Sequence, residues 1–177
     1  MSIRRSVIST TATALLLLAT APLLAGRGND AYRKCMTVQA TGDVAGVHVT
    51  VDYGRPLVGG RELWGALVPY DKVWRTGADE ATTITFDKNV TIEGKALAAG
   101  TYALFTIPGR DRWTVIFNRT AQQWGAFKYD ATQDALRVEV TPAKHDPVDA
   151  LTFEVRGSEV VMTWGTVAVA FRVGAGG

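Results

Sequence analysis

The sequence predicts an all-β fold: an antiparallel β-sandwich or partly closed barrel of about eight to nine strands, with little helix. Three observations predict it. Short segments alternate apolar and polar residues with a period of two. Gly- and Pro-containing turn signals separate them at regular spacing. No long stretch carries the 3.6-residue period of an amphipathic helix.

Each strand can be justified in turn. In residues 47–53, Val47, Val49, Val51 and Tyr53 alternate with His48, Thr50 and Asp52. In residues 82–86, Ile84 and Phe86 share one face, with Thr83 and Thr85 on the other. Val90 and Ile92 lead into Glu93-Gly94-Lys95, a turn signal. Residues 102–107 are apolar on both faces, as a central strand requires, and end at the turn Pro108-Gly109-Arg110-Asp111. Three more alternating segments follow, led by Trp113, Leu136 and Leu151. Gly157-Ser158 is read as a turn into residues 160–164, and Gly165-Thr166 as another into residues 167–173. Residues 61–67 and 120–124 are the places for a turn or two of helix. The polar residues before Gly42 read as a tail or a weak first strand.

The N-terminus reads as an address. Arg4 and Arg5 precede an apolar run of residues 12–25 with no acid, ending in Leu23-Leu24-Ala25. This is the pattern of a secretory signal peptide, here residues 1–25 with cleavage after Ala25. The run is too short for a spanning helix, which needs roughly 20 apolar residues. A periplasmic or secreted location follows, with no membrane span in the mature chain. The remaining organisation is a flexible tail at 26–36, a domain at 37–173 and a Gly-rich end at 174–177.

Charge and composition exclude several classes. The 177 residues carry 19 basic against 17 acidic side chains. Arg4 and Arg5 account for the whole excess, so the mature chain is balanced, 17 against 17. A nucleic-acid partner would require a basic stripe, and none is expected. The lone cysteine, Cys35, excludes an intramolecular disulfide and reads as a free thiol in a mobile tail, open only to pairing between chains. His48 and His145 are far apart and read as exposed. No metal site and no cofactor are expected. Gly-x-Ser-x-Gly, phosphate-loop and zinc-protease patterns are absent.

Residues 54–81 break the strand rhythm. Structureless connections longer than roughly 12–15 residues are uncommon and often functional. This one concentrates Arg55, Arg61, Arg75, Trp64, Tyr70 and Trp74. Arginines donate bidentately to anionic oxygens, and indoles offer faces for stacking. The candidate ligand site is therefore Tyr53, Arg55, Trp74, Arg75, Thr76, Asp79 and Glu80, with Trp124 in a second loop. Trp64 and Trp124 are the next stacking candidates after Trp74, while Trp113 and Trp164 are read as core. A small anionic or saccharide-like ligand suits this composition. Three functions stay open: a non-catalytic binding module, a cell-envelope hydrolase using Asp79 or Glu80 as acid/base, and a structural or interaction module. Against any site, the same segment reads as a cap, with Trp74 plugging the sandwich end and Arg75 bonded to an adjacent acid.

Several motifs occur in fixed order. They include Val51-Asp52-Tyr53-Gly54-Arg55-Pro56, Val73-Trp74-Arg75-Thr76-Gly77-Ala78-Asp79-Glu80, Gly100-Thr101-Tyr102-Ala103-Leu104-Phe105 and Gln123-Trp124-Gly125-Ala126-Phe127. In these the chain resembles the bacterial family called domain of unknown function 2911. The resemblance implies an exported, β-rich protein and no particular activity. It departs at His48, where a small polar or acidic residue is expected, and in lacking the lipidation cysteine that many exported relatives of this kind carry.

Overall fold

The computed structural model describes residues 35–177. The expected signal peptide, and the tail up to Lys34, lie outside the described residues. The chain forms two antiparallel sheets that do not close into a barrel. Ten strands build them: β1 Thr37–Val44, β2 Val47–Gly54, β3 Thr83–Phe86, β4 Val90–Ile92, β5 Lys95–Leu97, β6 Gly100–Ile107, β7 Trp113–Asn118, β8 Asp134–Val140, β9 Ala143–Arg156 and β10 Glu159–Ala175. One sheet runs β1-β2-β3-β6-β7-β8, the other β5-β4-β10-β9. A 3₁₀ turn at Ala131–Gln133 leads into β8.

The core lies between the sheets because alternation sends one face of each strand inward. Val49, Val51, Ile84, Phe86, Leu104, Val115 and Phe117 meet Phe153, Val160, Met162, Phe171 and Val173 in one cluster. Phe117 and Phe171 touch edge to face across it, 5.5 Å between centroids. The central strand β6 is apolar on both faces for a reason the fold supplies. Its outward Ala103 and Phe105 form a second, smaller cluster with Ala81 and Ile116, packed against by Val73, Ala126 and Tyr129. The loops after β2 and β7 thus cover the outer face over β6 and β7.

Three expectations are corrected. The weak first strand is a full edge strand, paired with β2 from Thr37↔Gly54 to Val44↔Val47. Gly165-Thr166 is not a turn. β10 runs through it as one 17-residue strand, and the pairing with β9 shifts register on both sides of Gly165. Gly165 has φ 58°, the backbone a bulge takes, and Leu63 Cδ1 lies 2.8 Å from where a Cβ would stand. Residues 61–67 and 120–124 hold turns and isolated bridges instead of helix. His145 is exposed as expected but sits in β9, where Pro147 is tolerated because the strand is an edge.

Candidate functional site

The irregular segment after β2 is held by hydrogen bonds at both ends. Pro56 accepts from Leu151 N (2.9 Å), Val58 N donates to the Asp149 carbonyl (2.7 Å), and Gly59 N donates to the Asp149 carboxylate (3.1 Å). This lays the first part along the edge of β9. Gly59 and Gly60, both at positive φ, reverse the chain. Arg61 then folds back, donating through Nε to the Val58 carbonyl (2.9 Å) and through Nη2 to the Leu57 carbonyl. At the other end, Trp74 and Thr106 exchange two backbone hydrogen bonds of 2.7 and 2.9 Å. The segment therefore pairs with β6 just beyond the start of β3.

Between Trp74 and Thr82 the chain makes a strained knot. Thr76 and Asp79 both have positive φ, 55° and 61°. For a β-branched residue this is an outlier that costs of order 1–3 kcal/mol and persists only where surroundings enforce it. Here Thr76 Oγ1 donates to the Trp74 carbonyl and bonds Thr106 Oγ1 (3.1 Å), while Thr82 Oγ1 donates to the Thr76 carbonyl (2.8 Å). Thr76 is fully buried. It is part of the frame, not a contact for a ligand.

The knot and the β9-edge segment enclose a cleft of about 490 Å³. Its charged lining is Arg61, Arg75 and Asp79. Its apolar lining includes Pro56, Leu57, Leu67 and Val68, with Trp74 and Trp164 at the base. Cys35 closes one side, its backbone N donating to Asp79 Oδ2 at 2.9 Å. Cys35, expected in the tail at 26–36, is half-buried and lines the cleft. Burial, and then Asp79, push the Cys35 thiol up from its ordinary pKa, with Arg75 and Arg61 opposing. Burial lowers the Arg75 pKa, partly offset by Asp79. Arg75 Nε is buried and has no acceptor among the described residues.

The raised Cys35 pKa gives a measurable sign. Less thiolate is present at neutral pH than on a free cysteine, so disulfide exchange with 4,4′-dithiodipyridine is slow there. Asp79→Asn removes the carboxylate charge yet keeps an oxygen for Cys35 N. The pH–rate profile is expected to move to lower pH, with exchange severalfold faster near neutrality. An unmoved profile would mean that Asp79 does not govern the thiol.

The structure brings together only part of the expected constellation. Trp74, Arg75 and Asp79 line the cleft. Tyr53 does not: it is 2% exposed, packs edge to face on Phe153 at 4.9 Å, and its hydroxyl accepts from Phe153 N. Arg55 donates to the Leu151 carbonyl (3.3 Å) and lines a separate groove between β1 and β9. It therefore does not share a cavity with Arg75. Glu80 does not line the cleft and instead pairs with Trp124 through a backbone bridge. Trp124 is 44% exposed but lies outside the cleft. Trp64 is no exposed platform. It joins Trp74, Trp113 and Trp164 in an aromatic cluster, 5.0 Å from Trp113 and 5.9 Å from each of the other two. Trp74 stacks on Trp164 at 5.8 Å and 13°, plugging the sandwich end as the capping reading requires. Sequence reasoning missed Leu57, Leu67, Cys35 and Trp164 as cleft residues. The two leucines carried a usable signal, being large apolar residues inside an irregular segment.

No group of three or more His, Cys, Asp or Glu residues among the described residues is placed to hold a metal ion. No helix among them is long and apolar enough to cross a membrane. Comparison with curated proteins and with solved structures found no match. The family model described as "Protein of unknown function (DUF2911)" matches residues 36–173, which take in strands of both sheets and every described cleft residue but Cys35, and the chain belongs to that family.

Proposed function

We propose that the chain is an exported, non-catalytic binding module that takes a small anionic or saccharide-like ligand in the cleft beside Arg75. The observation that carries this reading is the Arg75 guanidinium in the wall of a cleft with apolar walls, its Nε without an acceptor among the described residues. The volume lies within the roughly 300–1,000 Å³ typical of small-molecule sites. Export is supported by the n-region arginines and the apolar run ending at Ala25. Among the described residues Asp79 is the only carboxylate lining the cleft. Acid/base chemistry of the two-carboxylate kind needs a second across the bond, so the geometry favours binding over hydrolysis.

The test is thermal unfolding of the mature chain with acetate, octanoate, inorganic phosphate and N-acetylglucosamine. A ligand at a hundredfold excess over Kd stabilises by about 2.7 kcal/mol, or roughly 5–10 °C for a domain of this size. Arg75→Ala is expected to lose the shift. A shift that survives Arg75→Ala, or none with any of the four, would overturn the assignment.

A further inference from the structure

We infer that the cleft takes an amphiphilic carboxylate, its head on Arg75 and its apolar body along Leu57, Leu67 and Val68. This deepens the binding reading above and rests on it. The head follows from charge and geometry. Among the described residues two guanidiniums and one carboxylate line the cleft, a net positive charge. Arg61 is already turned to the Val58 and Leu57 carbonyls and contributes mainly its charge. The Arg75 guanidinium lines the cleft, and its Nε has no acceptor among the described residues. A planar guanidinium fork suits an anion with two coplanar oxygens. Asp79 is held to Cys35 N and shares the field of Arg75, which favours a singly charged head over a doubly charged one.

The body follows from what the walls offer. Leu57 and Leu67 are 54% and 44% exposed, large apolar side chains left in water at the cleft. Such surface marks a place where apolar matter binds. A saccharide needs different walls. Among the described residues the lining contains no Ser, Thr, Asn, Gln, His or Tyr side chain to meet its hydroxyls. Nor is an indole face free for a sugar ring. Trp74 and Trp164 are 9% and 1% exposed and stacked on each other.

Cys35 lines the cleft and is the only cysteine of the chain, so its reactivity reports occupancy directly. The experiment measures protection of Cys35 in the mature chain from 4,4′-dithiodipyridine. The probes are acetate, butyrate, hexanoate, octanoate, hexanol, inorganic phosphate and N-acetylglucosamine. Half-protecting concentrations are expected to fall by up to about fourfold per methylene along the carboxylates. Hexanol should protect at least tenfold less well than hexanoate. Arg75→Ala should remove the difference between hexanoate and hexanol, while Arg75→Lys should keep part of it. The wild-type series stands even if the Arg75→Ala protein does not fold. Protection by phosphate or N-acetylglucosamine in preference to octanoate would overturn the amphiphile and leave the binding reading intact. A carboxylate series without chain-length dependence would overturn the apolar body. No protection by any probe would overturn both readings.

Discussion

Trp164→Ala is expected to destabilise the fold by about 3–5 kcal/mol and to remove the base of the cleft. Trp164 is almost fully buried, stacks on Trp74 and meets Trp64 edge to face. Its Nε1 donates to the Asp149 carbonyl at 3.2 Å. The same carbonyl takes Val58 N, so the substitution also loosens the place where the irregular segment grips β9. Urea unfolding measures the loss, and Trp124→Ala is the control. Trp124 is partly exposed and outside the cluster, so its removal should stay near 0.5 kcal/mol. A loss below about 1.5 kcal/mol for Trp164→Ala would mean that the aromatic cluster is not what closes this end of the sandwich.

Gly54→Ala is expected to cost about 3 kcal/mol or more. A Cβ there would lie 2.2 Å from the Ala78 carbonyl oxygen and 2.9 Å from its carbon. These are backbone atoms and cannot rotate away. Gly54 also accepts from Ala78 N at 3.2 Å, so the end of β2 and the Arg75 knot are pressed together. The substitution must separate them, and Cys35 exchange should quicken as the Asp79 contact is lost. Gly46→Ala is the comparison. Nothing lies within 4 Å of the Cβ position there, and only the positive φ is penalised, about 1–2 kcal/mol. Equal losses at the two glycines would show that the close approach carries no special weight.

Those contacts also explain what a sequence can and cannot disclose. Strands with one buried face were legible, because Val49 and Val51, or Val115 and Phe117, repeat at the pleat period. β1 was obscure because its outer positions are exposed and polar and two of its four inner ones, Ala40 and Gly42, are small. Gly42 is required there by Val155, 2.9 Å from its absent Cβ, a contact no local pattern announces. Gly165 misled because a glycine at positive φ serves a turn and a bulge equally well. At the site, the odd composition of residues 54–81 pointed to Trp74, Arg75 and Asp79. What it could not show was direction. Thr76 and Asp79 take positive φ without being glycine, which turns their neighbours' side chains away from simple alternation. Cys35 and Trp164 arrive from distant parts of the chain, joined to the cleft only by tertiary folding.

β10 has a consequence for how the molecule comes into being. It is the last strand in sequence, yet it lies between β4 and β9 in its sheet. Until β10 pairs, β4 and β5 have nothing to join them to β9. The six-stranded sheet is built mostly from chain neighbours and can pair early, but it would do so with the inward faces of Ile84, Phe86 and Phe117 bare. The core face of the larger sheet is therefore covered only once β10 has docked, and the chain is at its most adhesive before that step.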